Sequence, residues 1–92
     1  MNIIIIGCGR LGSTLALELA DAGYNIAVID SDAKRLSALG SGFNGLAIKG
    51  IEYDNNILKQ AGINRASFVI SVTPDDNLNI TAAPAARDLF GV

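Results

Sequence analysis

The stretch Gly7-Cys8-Gly9-Arg10-Leu11-Gly12 constrains this chain more than any other feature. It matches G-x-G-x-x-G, which is weak alone and specific only between a strand and a helix. That setting is present. Asn2–Ile6 holds four isoleucines, β-branched and suited to a strand. With no polar alternation, the strand reads as covered on both faces, as parallel strands are. Residues 10–22 then show helical spacing. Leu11, Leu15, Leu19 and Ala22 share one face, with Ala16 beside them and Leu17 opposite. Gly23 is a C-terminal stop. Asn25–Asp30 reads as a second buried strand, which completes a βαβ unit of about 30 residues. In such a unit the first glycine permits a tight turn. The second lets a pyrophosphate approach the backbone, and the third lets the helix pack against the strand. The free N–H groups and the helix dipole favour an anion there.

The rest of the chain repeats the alternation. Ser31 or Asp32 caps a short helix over 33–39. Leu46–Lys49 is a third strand, and Asp54 caps a helix over 55–61 that ends at Gly62. Residues 67–73 are a fourth strand. Asp75 or Asp76 opens a last helix with Asn79, Ala82, Ala83, Ala86, Leu89 and Phe90 on one face. The pattern βαβαβαβα predicts an α/β fold, a Rossmann-like doubly wound parallel sheet with strand order 3-2-1-4. It forms one domain over residues 1–92. Ligands of such sheets bind where the strand order reverses, at the carboxyl ends. Residues 7–12, Asp30, Gly50 and Thr73 lie at those ends.

Composition removes other possibilities. Half the residues are apolar and 17% are charged, a globular balance. The apolar run at 3–6 is far too short to cross a membrane. A net charge of −2 argues against a nucleic-acid partner. The single cysteine excludes an intrachain disulfide, and with no signal peptide the expected location is cytoplasmic. The chain has no histidine, so it lacks the commonest general base and zinc ligand. No catalytic or metal site is expected.

Asp30 ends the second strand, 18 residues after Gly12. A carboxylate there accepts both hydroxyls of an adenosine ribose and repels a 2′-phosphate. NAD(H), ATP, ADP or AMP is therefore expected over NADP. Arg10 opposes the helix dipole, so a phosphate clamp is a better reason for it than helix stability. Cys8 fills a position that tolerates most residues, and it reads as a spectator thiol.

The opening IIIIGCGRLGSTLALELADAGYNIAVID resembles the regulator-of-potassium-conductance domains, also called KTN or TrkA-N domains. FNGLAIKGIEYDNNILKQAGI, ASFVISVTPDDNLNI and AARDLFGV extend the resemblance, including the spacing Thr73, Asp76, Asn79. It implies a non-catalytic cytoplasmic domain that binds NAD(H) or an adenine nucleotide, dimerises, and gates a membrane potassium channel or transporter. By this resemblance Gly7, Gly9, Arg10, Leu11 and Gly12 hold phosphates. Asp30 holds the ribose with Ser31 and Arg35 beside it, Gly50 and Ile51 border the adenine, and Thr73 floors the pocket. Such a domain would lie on the cytoplasmic face of the membrane through its partner.

Three departures accompany the resemblance. Ile51 stands where the family usually has an acid or asparagine; it packs on adenine but cannot accept its amine, and Glu52 is a candidate substitute. Pro84 falls inside the last expected helix and should kink or end it. The family domain continues with further strands, whereas this reading stops after the fourth helix and leaves the fourth strand an edge. That edge, with Leu17, predicts self-association as a homodimer or higher oligomer. The alternative is the cofactor half of an NAD-dependent oxidoreductase, for which Asp75, Asp76 and Tyr53 are unconvincing catalysts. A further alternative is a structural module without ligand.

Overall fold

The structure, a computed structural model, describes residues 1–85. Its elements are β1 (Asn2–Ile6), α1 (Arg10–Asp21), β2 (Asn25–Asp30), α2 (Ala33–Ser37), β3 (Leu46–Lys49), α3 (Asn55–Gln60), β4 (Phe68–Val72) and β5 (Leu78–Ala82). They form one sheet of order β3-β2-β1-β4-β5. β1 pairs in parallel with both β2 and β4, and β2 pairs in parallel with β3. The doubly wound fold and its 3-2-1-4 order are therefore present, with the reversal between β1 and β4.

The isoleucine run is explained by burial on both faces. Ile4 and Ile6 join Ile29, Leu58, Ile63, Val69 and Ala83 on one side of the sheet. Ile3 and Ile5 join Ile26, Val28, Ala16, Ala20 and Leu39 on the other. Burial of this apolar surface is the main drive to fold. Helix ends follow the expected chemistry. Asp32 accepts from the Lys34 N–H, and Asp54 accepts from the Asn56 and Ile57 N–H groups. Gly23 and Gly62 end their helices at φ 98° and 90°, where a side chain would be strained.

Two expectations are corrected. The buried stripe of α1 is Gly12, Ala16 and Ala20, not the leucine face. Small residues every fourth position let the helix lie close to the sheet. Leu15, Leu17 and Leu19 then reach the core from its two flanks, so Leu17 packs inward and is no surface clue.

The second correction concerns residues 75–90. No helix opens at Asp75 or Asp76; the chain turns back as β5, antiparallel to β4. The Asp76 N–H donates to the Thr73 carbonyl at 3.0 Å, and the Thr73 N–H donates to the Asn77 carbonyl at 2.9 Å. Asp76 is left-handed at φ 63°. This is a three-residue hairpin loop with proline at the first corner and an aspartate in the left-handed position, both suited to their places. Beyond it Leu78, Ile80 and Ala82 alternate with Asn79 and Thr81, the period of a strand. Asn79 and Ala82 are thus strand residues, and Ala83 is buried. Ala86, Leu89 and Phe90 lie outside the described residues. Residues 83–85 are helical. Pro84 falls in that first turn, where its missing N–H breaks no helical bond, so it does not kink a helix interior. β4 is paired on both sides, and among the described residues β5 and β3 are the outer strands of the sheet.

Candidate functional site

At the carboxyl ends of β1, β2 and β4 lies a cleft of about 280 Å³. It is lined by Gly7, Gly9, Asp30, Arg35, Glu52, Val72, Thr73 and Pro74. This is where a doubly wound sheet receives ligands. Five of the expected residues line it: Gly7, Gly9, Asp30, Arg35 and Thr73.

The three glycines differ in what they explain. Gly7 has φ 101°, and a Cβ there would strike the Val72 carbonyl of β4. A Cβ on Gly12 would strike the Gly7 carbonyl. Both are required by the fold: the loop is pinned to β4, and α1 packs onto the loop. Gly9 is different. Its φ is −76°, open to any residue, and a Cβ there would meet nothing within 4 Å. Nothing among the described residues needs a glycine at position 9, and its missing side chain faces open space in the cleft.

Gly9 is also the N-cap of α1 and supplies no side-chain cap. The first intrahelical bond runs from the Ser13 N–H to the Gly9 carbonyl at 2.9 Å. The N–H groups of Arg10, Leu11 and Gly12 precede it, and such groups have no partner within a helix. Together with the dipole they favour negative charge beside Gly9.

Asp30 is the one buried charged residue among the described residues, with its side chain 0% exposed. Its Oδ2 accepts from the Cys8 N–H at 2.7 Å, and its Oδ1 from the Asp32 N–H at 2.8 Å. The carboxylate therefore ties the glycine loop to the end of β2. Arg35 lies 3.7 Å from Asp30 and 3.8 Å from Asp32, loose pairs that leave its guanidinium half exposed.

Arg10 does not line the cleft. Its side chain is 88% exposed and donates to the Asp76 carboxylate at 2.6 Å, bridging the start of α1 to the β4–β5 turn. Leu11 is partly buried on α1. Ser31 is exposed, and its backbone N–H favours the charged form of the nearby Glu52 carboxyl. The Gly50 N–H donates to the Asp30 carbonyl, and its missing Cβ makes room for the Ile57 side chain. Ile51 is 73% exposed and outside the cleft lining. Thr73 lines the cleft, and its Oγ1 also accepts from the Asn77 N–H at 3.1 Å. Val72 and Pro74 escaped the sequence reading. They line the cleft because β4 ends there, a fact visible only once β4 is set beside β1.

Glu52, the candidate substitute for an acid at position 51, also lines the cleft. Burial and the neighbouring Asp30 hold its carboxyl above the usual range, partly offset by the Ser31 N–H and Arg35. Cys8 is 2% exposed, and its thiol donates to the Arg35 carbonyl at 3.4 Å. Burial, with Asp30 adding to it, pushes the thiol up to about 11. The helix start does not activate it. Two pH units above the ordinary value of 9.0 correspond to about a hundredfold less thiolate near pH 8. The thiol of the folded protein is therefore expected to react with a disulfide reagent at least about tenfold more slowly than in urea, because the fall in thiolate outweighs the rise in its intrinsic nucleophilicity. Equal rates in stopped-flow absorbance would contradict this.

A doubly wound sheet whose first helix opens from a glycine loop at the switch point is a Rossmann-like nucleotide-binding fold. Within that class the chain belongs to the TrkA-N domain family, which matches residues 3–92. It is 47% identical over 92 residues to the Trk system potassium uptake protein TrkA of Streptomyces coelicolor, covering 100% of this chain and 41% of that protein. It is 39% identical over 90 residues to the protein of the same name from Halomonas elongata, covering 98% of this chain and 20% of that one. The chain thus spans less than half the length of these relatives. Among solved structures, the Shewanella denitrificans Kef CTD in AMP-bound form matches with a TM-score of 0.63 and 22% identity, over 97% of this chain and 50% of that chain. The Staphylococcus aureus N5-carboxyaminoimidazole synthetase complexed with ADP matches with a TM-score of 0.58 and 23% identity, over 83% of this chain and 19% of that chain. At these identities the likeness is one of fold.

Proposed function

We propose that this chain binds an adenine nucleotide, NAD(H) or ATP, ADP or AMP, in the switch-point cleft, and acts without catalysis as a regulatory domain of a potassium uptake system. The observation that carries the binding is Gly9. Its backbone does not need glycine and its missing Cβ leaves open room, which is what a phosphate approaching the chain requires. The potassium link is supported by the Trk system relatives, and the nucleotide class by the AMP-bound form of one structural neighbour and the ADP complex of the other. A cytoplasmic position beside a membrane partner belongs to the same reading and is supported by the same relatives. No helix among the described residues is long and apolar enough to cross a membrane.

Binding would be relayed through Arg10. A phosphate beside Gly9 competes with the Asp76 carboxylate for the exposed guanidinium, and Asp76 belongs to the β4–β5 turn. Ligand then shifts the population of that turn as far as its affinities for the two arrangements differ. The absence of histidine and the use of Asp76 in this pair support a sensor over an oxidoreductase half. Self-association belongs to the same reading. The outer position of β5 among the described residues and the exposed Leu78 and Ile80 support it.

Thermal unfolding with NADH, ATP, ADP, AMP and NADPH tests the binding. One of the first four, at about 100 times its Kd, should stabilise the protein by about 2.7 kcal/mol. An unchanged melting curve with all five would refute the proposal.

A further inference from the structure

We propose that the hydroxyl pair Tyr53–Ser71 is a clasp that fixes the distance between two walls of the switch-point cleft, which makes Tyr53 a positioning residue for the ligand. This rests on the nucleotide reading above. The Tyr53 hydroxyl donates to the Ser71 Oγ at 3.2 Å. Neither residue lines the cleft, but a chain neighbour of each does. Glu52 lines it on one side, and Val72, Thr73 and Pro74 on the other. The bond therefore joins the β3–α3 turn to β4 directly behind the residues that would face a ligand.

The backbone at Tyr53 gives a second reason. Residues 51–54 form a turn in which the Asp54 N–H donates to the Ile51 carbonyl at 3.2 Å. Tyr53 stands third in that turn, at φ 67°. The place favours glycine or asparagine, and a bulky residue is strained there. Core packing does not account for the ring, since Tyr53 is 44% exposed. What accounts for a tyrosine is the reach of its hydroxyl. β2 and β1 lie between β3 and β4, so the turn is carried over three strand spacings, roughly 14 Å. Asp54 caps α3 and Leu58 is buried under it, so α3 keeps its own anchors if the clasp is lost. The turn would then move while the helix stays. A ligand must touch both walls at once, and walls held in place beforehand spare it the cost of ordering them. The bond is also longer than is usual between two hydroxyls, so it has room to shorten as the walls close on a ligand.

The test measures 5′-AMP and NADH by isothermal titration on the wild type, Tyr53→Phe, Ser71→Ala, the double variant and Ser71→Thr. Tyr53→Phe and Ser71→Ala should each weaken binding about fivefold, the size of one exposed hydrogen bond. The double variant should bind no more weakly than the weaker single one, because both remove the same bond. Ser71→Thr keeps the hydroxyl and should bind as the wild type does. Without ligand, all four should melt within about 3 °C of the wild type. Wild-type affinity in either single variant, losses that add in the double variant, or melting temperatures that fall in step with affinity would each overturn the clasp. A wild type that binds no nucleotide of the earlier panel overturns the binding reading itself, and the clasp with it.

Discussion

Gly7→Ala is expected to cost about 3 kcal/mol or more of stability in urea unfolding, with Gly12→Ala close behind. Two causes add at Gly7. Its φ of 101° is strained for any side chain, and the new methyl would enter the Val72 carbonyl of β4. Neither obstacle is a flexible side-chain end, so the loop and β4 must separate. At Gly12 the obstacle is again backbone, the Gly7 carbonyl, and α1 would be pushed from the loop. Gly9→Ala is the control within the same motif. Its φ of −76° suits alanine and no neighbour lies within 4 Å, so its unfolding free energy should change by less than about 1 kcal/mol. Equal losses at all three positions would show that the motif is structural throughout.

Asp30→Ala should cost about 3 kcal/mol, because two backbone N–H groups lose a charged acceptor at once. The Cys8 N–H bond is buried and the Asp32 N–H bond partly so. With the carboxylate gone, water must enter or the donors stay unpaired, and an unpaired buried donor is costly. The loss is also expected to be local. Amide exchange at Cys8 should accelerate more than at Ile4 or Val28 in the centre of the sheet. The Cys8 thiol should move back toward its ordinary range, since Asp30 contributes to holding it up. A stability change below about 0.5 kcal/mol, the size typical of an ordinary surface substitution, would mean that Asp30 does not hold the loop.

The parts of the fold that were legible in the sequence are those where apolar runs meet strong punctuation. β1 ends at Gly7, β2 follows Gly23 and β3 lies between Gly45 and Gly50, and both the existence of these strands and their parallel order follow from the alternation. The loss came at β5. Asn79, Ala82 and Ala83 have helical spacing while Leu78, Ile80 and Ala82 have strand spacing, and five residues are too few for periodicity to decide. The signal that does decide is local: Thr-Pro-Asp-Asp-Asn has proline at the first corner of a turn and an aspartate tolerant of positive φ two positions later.

The site was legible to the extent that it is contiguous. Gly7, Gly9 and Asp30 stand out because the motif fixes their spacing. Their separate jobs do not, since spacing is silent about which neighbour each α-carbon touches. That Gly12 faces a carbonyl and Gly9 faces space depends on where α1 rests on the loop. The engagement of Asp30 depends on the Cys8 N–H folding back across 22 residues. Glu52 joins the cleft only because β3 lies beside β2 in parallel, with Lys49 opposite Asp30.

On the proposed function, Gly9 is glycine for the sake of a ligand. The most direct test of this claim is isothermal titration of the wild type and Gly9→Ala with 5′-AMP and NADH. The wild type should bind at least one of them at one per chain. Gly9→Ala, with an unchanged melting temperature, should bind that ligand at least about tenfold more weakly. Equal affinity in the two proteins, or no binding by the wild type, would contradict the claim.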